Sequence, residues 1–515
     1  MTITGFSREQ TSRARASREA LDESQRAVVD LPDGASGAVL GAPGTGKTTT
    51  LIEVLADRVL DRGWGADAVL ALTPSRASAT RLRDAIALRL GVPTTGAMAR
   101  SVNSFAFEIV GEAARAAGAR PPRLVTGSDQ DADIASLLEG HLEDATGPDW
   151  PPTLGPDVRR TRRFRSELRE LLTRATEFGV TPHDLRRRAA ERARPEWRAS
   201  ADFFEEYAQV ISASREHQLD QAELAQFAAR AIDDRVAGER VESLRLVLVD
   251  DFQEATEAGF ALLRALARRG VSVIALGDPD VAASSFRGAE PDVLPRLSDV
   301  LRIPDATVQV LERVYRQGHE LRAFTSLVTE RIGTAAAGRQ RAAVAVRENS
   351  PASLAHIEAR TPSREWAAVA RELRERHLVH GVPWNELAVV VRSGAQVESA
   401  RRALAQAEVP VTAATGGLAL RDHSAARALL AVVEVGTGRR ELSPAVASDL
   451  LLGPFGGLDR LGLRKLRLAL RAEELGGGGS RSSRPGGRAS GAASSASTSA
   501  CATWARCSRS SRGRT

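Results

Sequence analysis

The stretch GAVLGAPGTGKTTTLIEVLADRVL, residues 37–60, decides the fold class. It starts as a short apolar run, passes through a glycine-rich loop and continues with helical periodicity. Within it, GAPGTGKT at 41–48 has the spacing G-x-x-x-x-G-K-[ST]. Glycines let such a loop turn tightly with its N–H groups inwards, and the following helix adds partial positive charge at its N terminus. The stretch predicts a strand–loop–helix unit that binds phosphate.

The loop residues have predicted roles in holding a nucleoside triphosphate. Lys47 can reach the β- and γ-phosphates, and the Thr48 hydroxyl can bind Mg²⁺. A chance glycine-rich turn is the alternative, and the flanking strand and helix disfavour it. The predicted nucleotide-binding positions here are Gly41, Ala42, Pro43, Gly44, Thr45, Gly46, Lys47, Thr48 and Thr49.

An acidic partner for this loop follows about 200 residues later, in LVLVDDFQE at 246–254. This apolar strand ends in Asp250, predicted to hold Mg²⁺ directly or through water. Asp251 is predicted to orient or deprotonate the attacking water. An aspartate can also cap the next helix, but the loop and the nearby Gln253 favour the catalytic interpretation.

Apolar runs and amphipathic stretches alternate on both sides of these motifs. Strands are predicted at 37–40, 68–73, 244–250 and 271–277, and helices at 48–60, 76–90 and 255–268. Continuous apolar strands that alternate with helices indicate an α/β fold with a parallel sheet covered on both faces. Residues 110–240 instead have the arginine- and glutamate-rich pattern of an all-helical insertion. A further α/β region is predicted later, with a strand at 386–393 and a helix at 395–407.

Composition excludes several classes of protein. The chain has 515 residues, a length that suits three or four domains at roughly 100–200 residues each. Since 43% of the residues are hydrophobic and 26% charged, global disorder is excluded. No apolar run approaches the ~18–20 residues that a membrane span needs. The two cysteines, Cys501 and Cys507, exclude a disulfide scaffold and predict a cytoplasmic location.

The composition changes abruptly after Glu474. Residues 475–515 hold seven arginines, no acidic residue, and 19 glycines and serines, which predicts a disordered tail. Without these arginines the formal net charge falls from +6 to −1. The net positive charge therefore comes from the tail and does not indicate a nucleic-acid groove in the rest of the chain. Either a frameshift or a natural flexible tail would account for this composition.

Two more motifs give the chain a family resemblance. GDPDVAASSFRGA at 277–289 and LERVYRQ at 311–317 follow the loop and the D-x-x-Q segment in order. This order resembles the superfamily 1A DNA helicases of the UvrD/Rep/PcrA type, and the arginine-rich style resembles the AdnA/AdnB and RecB helicase–nuclease subunits. The resemblance covers about 20–435 of the chain.

The resemblance implies ATP and Mg²⁺ as cofactors and adds residues to the nucleotide site. LDESQRAVV at 21–29 is similar to the family's adenine-recognition segment, in which Gln25 would read the adenine edge. Tyr315 would pack on the adenine. Arg316 would contact the γ-phosphate, and with Asp251 and Gln253 it completes the implied catalytic set.

The resemblance also implies a site for single-stranded DNA. TPSRASA at 73–79 and ARSVNSFAFEIV at 99–110 are similar to family segments that contact the strand, although an asparagine replaces the usual histidine at position 103. The aromatic residue at 105 would either stack on a base or pack in the core. The implied DNA-binding residues are Thr73, Ser75, Asn103, Phe105, Phe286 and Arg287.

The implied organisation is a P-loop RecA-like domain 1A formed by residues 1–109 and 241–305. Residues 110–240 would be helical insertion 1B, residues 306–474 a partial RecA-like domain 2A, and 475–515 the tail. The implied function is that of an ATP-dependent helicase, a 3′–5′ translocase on single-stranded DNA in repair or recombination. The implied partners are single-stranded DNA and a second helicase/nuclease subunit.

Three departures from the family pattern favour an alternative. Asp251 stands where the family has glutamate, and Val281 replaces a glutamine that senses the γ-phosphate. Nothing after residue 435 resembles the family's motifs V and VI, which predicts a C-terminally truncated chain. The alternative is a catalytically degenerate subunit that binds DNA or acts as a scaffold in a helicase–nuclease complex.

Overall fold

The computed structural model describes residues 20–91, 96–214, 218–283, 288–304, 306–333, 338–348, 354–412, 424–453 and 455–475. The chain divides into two compact units, Met1–Ala355 and His356–Thr515. Phe286, Arg287 and the predicted tail at 475–515, apart from Leu475, lie outside the described residues, and Leu475 ends a helix.

The strands lie in the first unit, in the described part of the chain. They are β1 Gly37–Gly41, β2 Val69–Thr73, β3 Ala99–Ser101, β4 Arg123–Leu124, β5 Gln218–Leu219, β6 Leu246–Val249, β7 Ser272–Gly277, β8 Thr307–Leu311, β9 Arg313–Gly318 and β10 Val344–Arg347.

The helices occur in both units. Those of the first unit are α1 Glu23–Val29, α2 Lys47–Ala56, α3 Arg76–Leu90, α4 Val102–Ala116, α5 Gly127–Glu143, α6 Pro156–Arg159, α7 Arg162–Glu177, α8 Pro182–Glu191, α9 Pro195–Ser214, α10 Gln221–Asp233, α11 Glu239–Ser243, α12 Glu257–Arg268, α13 Leu297–Leu301 and α14 His319–Thr329. Those of the second are α15 Pro362–Leu378, α16 Gly394–Gln406, α17 Ser424–Gly436, α18 Pro444–Leu452 and α19 Arg460–Leu475.

The main sheet has the strand order β3-β2-β6-β7-β1-β8, and all of its pairs are parallel. Its central strands β1, β2, β6 and β7 are buried at every position. Successive side chains of a strand point to opposite faces, and accordingly Val39 packs in one apolar core whereas Leu40 packs in the other. The predicted α/β fold with both faces of a parallel sheet covered is confirmed.

Among the described residues between β3 and β6, the regular structure is helical apart from the two-residue parallel ladder of β4 and β5. Its middle helices have a core of their own, built around Phe164, Leu168 and Phe203. The first helix, α4, and the last two helices, α10 and α11, instead contribute residues such as Ile109, Leu224 and Val241 to the core of the sheet. The helical segment is therefore anchored to the sheet at both ends.

Strand β8 completes the main sheet by pairing with β1, with Gly41 opposite Leu311. The short parallel ladder of β9 and β10 follows within the same unit. The domain boundary expected at 305/306 stays a prediction. The structure places β8, the strand that follows this boundary, in the main sheet.

The second unit is described only by helices and connecting segments. A small core forms around Ala370, Leu404 and Val409. The strand predicted at 386–393 is wrong, because residues 387–391 have no regular structure and Val390 is 93% exposed. A strand is stable only when its backbone is paired, and the described residues of this unit contain no strand to pair with it. No described helix is long and apolar enough to cross a membrane.

Candidate nucleotide-binding and catalytic site

The predicted site residues gather at one edge of the main sheet. The glycine-rich loop follows β1, Asp250 follows β6 and Asp278 follows β7. In a parallel sheet these carboxyl ends lie side by side, which is where open α/β sheets bind ligands. Residues far apart in the chain thus meet because of the strand order alone.

The loop between β1 and α2 requires its glycines. Gly44 and Gly46 have φ angles of +85° and +82°, in the left-handed region that favours glycine. A Cβ atom on Gly46 would lie 2.6 Å from Gln25 Nε2, and one on Gly44 would lie 2.8 Å from Arg316 Cβ. Both positions therefore favour glycine through their backbone conformation. A Cβ atom on Gly44 would meet a neighbour fixed to the backbone, whereas one on Gly46 would force the amide of Gln25 to move away.

Lys47, the first residue of α2, keeps its amino group inside the loop. Its Nζ donates to the carbonyl oxygens of Gly41 at 2.7 Å and Ala42 at 3.2 Å. Burial lowers the pKa of Lys47, and the nearby carboxylates of Asp278, Asp251 and Asp250 partly oppose that effect. A cationic group placed at the centre of a loop of backbone N–H donors suits a phosphate chain.

Thr48 joins the loop to the acid at the end of β6. Its hydroxyl donates to Asp250 Oδ2 at 2.8 Å. Asp250 is buried, and burial together with the charge of Asp251 raises its pKa to about 6. A hydroxyl and a carboxylate oxygen are hard ligands of the kind that Mg²⁺ binds. The pair fits this ion, because a cation would offset the unfavourable burial of the carboxylate.

Asp251 is held beside this pair in an uncommon conformation. Its φ of +51° lies in the left-handed region, which disfavours most residues other than glycine. Its N–H donates to Asp250 Oδ1 at 3.1 Å, and Gln253 Nε2 donates to Asp251 Oδ1 at 3.2 Å. The geometry holds the Asp251 carboxylate at the same edge as the loop.

Gln253 also reaches the end of β7. Its Oε1 accepts the backbone N–H of Asp278 at 3.0 Å. Asp278 is almost fully buried, and burial raises its pKa, whereas the positive charge of Lys47 lowers it. The D-x-x-Q segment thus connects the ends of two neighbouring strands.

The residues expected near the adenine also meet at the loop. Gln25 Nε2 donates to the Thr45 carbonyl at 3.2 Å, and the N–H of Tyr315 donates to the Gly44 carbonyl at 2.8 Å. The Tyr315 hydroxyl donates to Asp22 Oδ2 at 2.6 Å; burial and this negative partner raise the pKa of Tyr315 to about 12.

Asp22 is a site residue that the sequence reasoning missed. Its side chain accepts from the N–H of Gln25, and Gln25 Oε1 accepts from the N–H of Asp22, which makes a reciprocal cap of α1. The spacing D-x-x-Q at 22–25, which suits a reciprocal cap at the start of a helix, was the available signal. Asp22 holds both Gln25 and Tyr315 in place.

The residues expected to contact DNA differ in how accessible they are in the structure. Thr73 is buried and its hydroxyl donates to the Ser75 carbonyl at 3.0 Å, whereas Ser75 is exposed and caps α3. Asn103 lies partly exposed at the start of α4, and its Nδ2 donates to Gln221 Oε1 at 3.2 Å. Phe105 needs a correction, because it is 0% exposed within the core of the sheet, where a base cannot stack on it.

A parallel sheet, a glycine-rich loop with its lysine, and an acid bonded to the loop threonine together define a P-loop nucleotide-binding protein. Residues 21–301 match the family model described as the UvrD/REP helicase N-terminal domain. The chain belongs to this family, as the order of its motifs indicated.

Several relatives are similar over most of the chain. It is 25% identical over 459 residues to the ATP-dependent DNA helicase UvrD2 of Mycobacterium bovis, a match covering 85% of this chain and 61% of the relative. It is 23% identical over 464 residues to the ATP-dependent DNA helicase Rep of Salmonella typhimurium, covering 84% of this chain and 62% of the relative. The chain thus spans 61–62% of the length of these two proteins.

A eukaryotic relative matches over a shorter region. The ATP-dependent DNA helicase srs2 of Schizosaccharomyces pombe is 27% identical over 177 residues, or 33% of this chain and 19% of the relative.

Proposed function

We propose that this chain binds and hydrolyses ATP and uses the reaction to move along single-stranded DNA as a helicase. One observation carries the proposal: the hydroxyl of Thr48 contacts the carboxylate of Asp250 at 2.8 Å, next to the partly buried amino group of Lys47. That arrangement joins the phosphate loop to an acid from another strand, as ATP hydrolysis with a divalent ion requires.

The nucleotide would be held from three directions. The loop N–H groups and Lys47 would bind the phosphates, and Gln25 and Tyr315 would face the adenine. Thr48 and Asp250 would hold Mg²⁺, which neutralises phosphate charge when bound.

Two further side chains would act on the γ-phosphate and the water that attacks it. Arg316 is exposed beside Gly44, where its positive charge would stabilise the negative charge that develops in the reaction. Asp251 would orient the attacking water. Since an aspartate is one methylene shorter than a glutamate, we expect slower turnover than a glutamate at this position would give.

Single-stranded DNA would lie along the same edge of the sheet. Ser75 and Asn103 are accessible there, and Thr73 supports the backbone conformation of Ser75 through its hydrogen bond. Phe286 and Arg287 belong to the proposed contact set on the basis of their motif. Movement in the 3′–5′ direction, and a role in repair or recombination, are part of the proposal.

The second candidate is a DNA-binding or scaffolding subunit with a degenerate ATPase. Asp251 and the exposed Val281 favour it, because both positions lack side chains that the family resemblance associates with turnover. An ATPase assay with and without single-stranded DNA separates the two: DNA-stimulated hydrolysis supports the motor, and nucleotide binding without turnover supports the subunit.

The test of the nucleotide site exploits the scarcity of lysine. Only Lys47 and Lys465 occur in the chain, so Lys465→Ala is a matched control in the second unit. A hydrogen bond to a charged group contributes about 1.5–3 kcal/mol, so Lys47→Ala should weaken binding of a fluorescent ATP analogue by roughly 10- to 100-fold. We expect Lys465→Ala to bind normally. Equal affinity of the Lys47→Ala and unaltered proteins would refute the site.

A further inference from the structure

A buried glutamine outside every motif contacts the nucleotide site. Gln340 lies in a short 3-10 helix, Arg339–Ala342, between α14 and β10, and is 0% exposed. Its Nε2 donates to Asp280 Oδ2 at 3.1 Å and, more weakly, to Asp278 Oδ1 at 3.4 Å. Gln340 thus bridges the two carboxylates that follow β7.

The segment around Gln340 is held firmly in place. The guanidinium of Arg341 makes two hydrogen bonds to Asp280, from Nε at 2.8 Å and from Nη2 at 2.5 Å. Arg322 of α14, itself buried, donates from Nε to the carbonyl oxygen of Ala343 at 2.9 Å. Ala343 in turn belongs to a small apolar cluster with Val314 and with Ala42 of the phosphate loop. The position of Gln340 is therefore fixed relative to the loop.

From Gln340 a continuous series of hydrogen bonds leads to Asp251. Asp278 accepts from Gln340 through its side chain, and its backbone N–H donates to Gln253 Oε1. Gln253 Nε2 then donates to the carboxylate of Asp251. The series thus ends on the proposed water-orienting group.

Packing alone does not explain a glutamine at this position. Its Oε1 is buried and has no hydrogen-bond partner among the residues that the structure describes, and such an orphaned acceptor is unfavourable. An apolar side chain of similar length would fill the same space without that penalty. The amide nitrogen is the part of the side chain that the surroundings use.

We propose that Gln340 is a positioning residue: by fixing the loop after β7, it holds Gln253 and, through it, the carboxylate of Asp251. Because β9 carries Tyr315 and Arg316 and pairs with β10, the segment of Gln340 also connects these nucleotide-facing residues to Asp251. This role rests on the proposed ATPase function and deepens it.

The test replaces only the amide. Gln340→Met keeps the length of the side chain but cannot donate, and Arg339→Ala, at an exposed position of the same 3-10 helix, is the matched control. Misplacing a catalytic group lowers the rate of chemistry by up to about 100-fold. We expect kcat for ATP in Gln340→Met to fall by roughly 10- to 100-fold while KM changes less than about 3-fold, the pattern of an effect on the chemical step. Arg339→Ala should keep both constants.

Hydrogen exchange of the nucleotide-free protein provides a reading that does not depend on turnover. In Gln340→Met, the amides of Asp278, Asp280 and Val281 should exchange several-fold faster, whereas those of β6 should not change. Gln340→Asn, whose shorter amide cannot bridge both carboxylates, should show the same effect and decides the question if the methionine variant does not fold.

Unchanged kcat together with unchanged exchange at Asp278, Asp280 and Val281 would overturn the role of Gln340. If the unaltered chain binds ATP but does not hydrolyse it, the motor function fails, and the exchange measurement alone then decides whether Gln340 positions the loop.

Discussion

Replacing Asp250 by asparagine should make the first unit more stable while it weakens the nucleotide site. Asp250 is 8% exposed, and its pKa is raised from 3.8 to about 6 by burial and by the charge of Asp251. The folded protein therefore holds this carboxylate ionised at neutral pH against an unfavourable environment. Asparagine carries no charge and keeps an oxygen that can accept the Thr48 hydroxyl. Its amide nitrogen cannot accept the Asp251 N–H as Oδ1 does, which offsets part of the gain.

The sign and size of the effect follow from the two pKa values. Since the folded-state pKa is the higher one, the stability associated with the neutral carboxyl is fully present below pH 3.8 and is lost as pH rises through about 6. A difference of about 2 pKa units at about 1.4 kcal/mol each gives roughly 3 kcal/mol as an upper value. Asp250→Asn should thus raise the free energy of unfolding by up to that amount at pH 8, and by little near pH 4.

The same substitution at Asp280 should have the opposite sign. Asp280 and Arg341 form an ion pair with side chains only 4% and 12% exposed. Asp280→Asn would leave Arg341 without its charged partner, and breaking a buried pair in this way costs about 3–5 kcal/mol. Asp250 and Asp280 lie at the same edge of the main sheet, but their substitutions should change the stability in opposite directions because their side chains have different partners.

Hydrogen exchange of the β1 and β6 amides, without nucleotide or Mg²⁺, measures the stability of this unit directly. We expect slower exchange in Asp250→Asn at pH 8, a smaller gain at lower pH, and faster exchange in Asp280→Asn. The reasoning is refuted if Asp250→Asn destabilises the unit at pH 8, or if its gain does not shrink as the pH falls towards 4.

Two other variants test the surroundings of the loop. Gly46→Ala should lower the ATP affinity, measured by calorimetry, at least ~10-fold, because its Cβ would lie 2.6 Å from Gln25 Nε2. The control for backbone strain is Gly63→Ala, which is also at positive φ but has open space around it. Tyr315→Phe removes the donor to Asp22 and should lower stability by about 0.5–1.5 kcal/mol in thermal unfolding, so an unchanged midpoint would contradict the contact.

The elements of the main sheet were predictable because their signals are local. Helix α3 begins and ends at the predicted residues, since Ser75 caps its start and Gly91, in the left-handed conformation, ends it. The strands predicted at 68–73 and 271–277 match β2 and β7 to within one residue. Fully buried parallel strands read as continuous apolar runs, which a sequence displays directly.

The phosphate loop was predictable for the same reason, whereas its supporting contacts were not. Gln340 and Arg341 reach Asp280 across about 60 positions of sequence, and no spacing rule marks them. Phe105 shows another limit, because an aromatic residue on an amphipathic helix has the same pattern whether it meets a base or the core. For residues 387–391, β-propensity was misleading because a strand also needs a neighbour.

Residues outside the motif hold the phosphate loop in place. These contacts determine which elements respond first when a nucleotide binds. The carbonyl of Gly44 accepts from Tyr315, and the carbonyl of Thr45 accepts from Gln25. Ala42 packs against Val314, next to Tyr315 on β9. A nucleotide that shifts these carbonyls must also shift the partners that donate to them. We therefore expect nucleotide occupancy to be transmitted first to the start of α1 and to β9, rather than along α2.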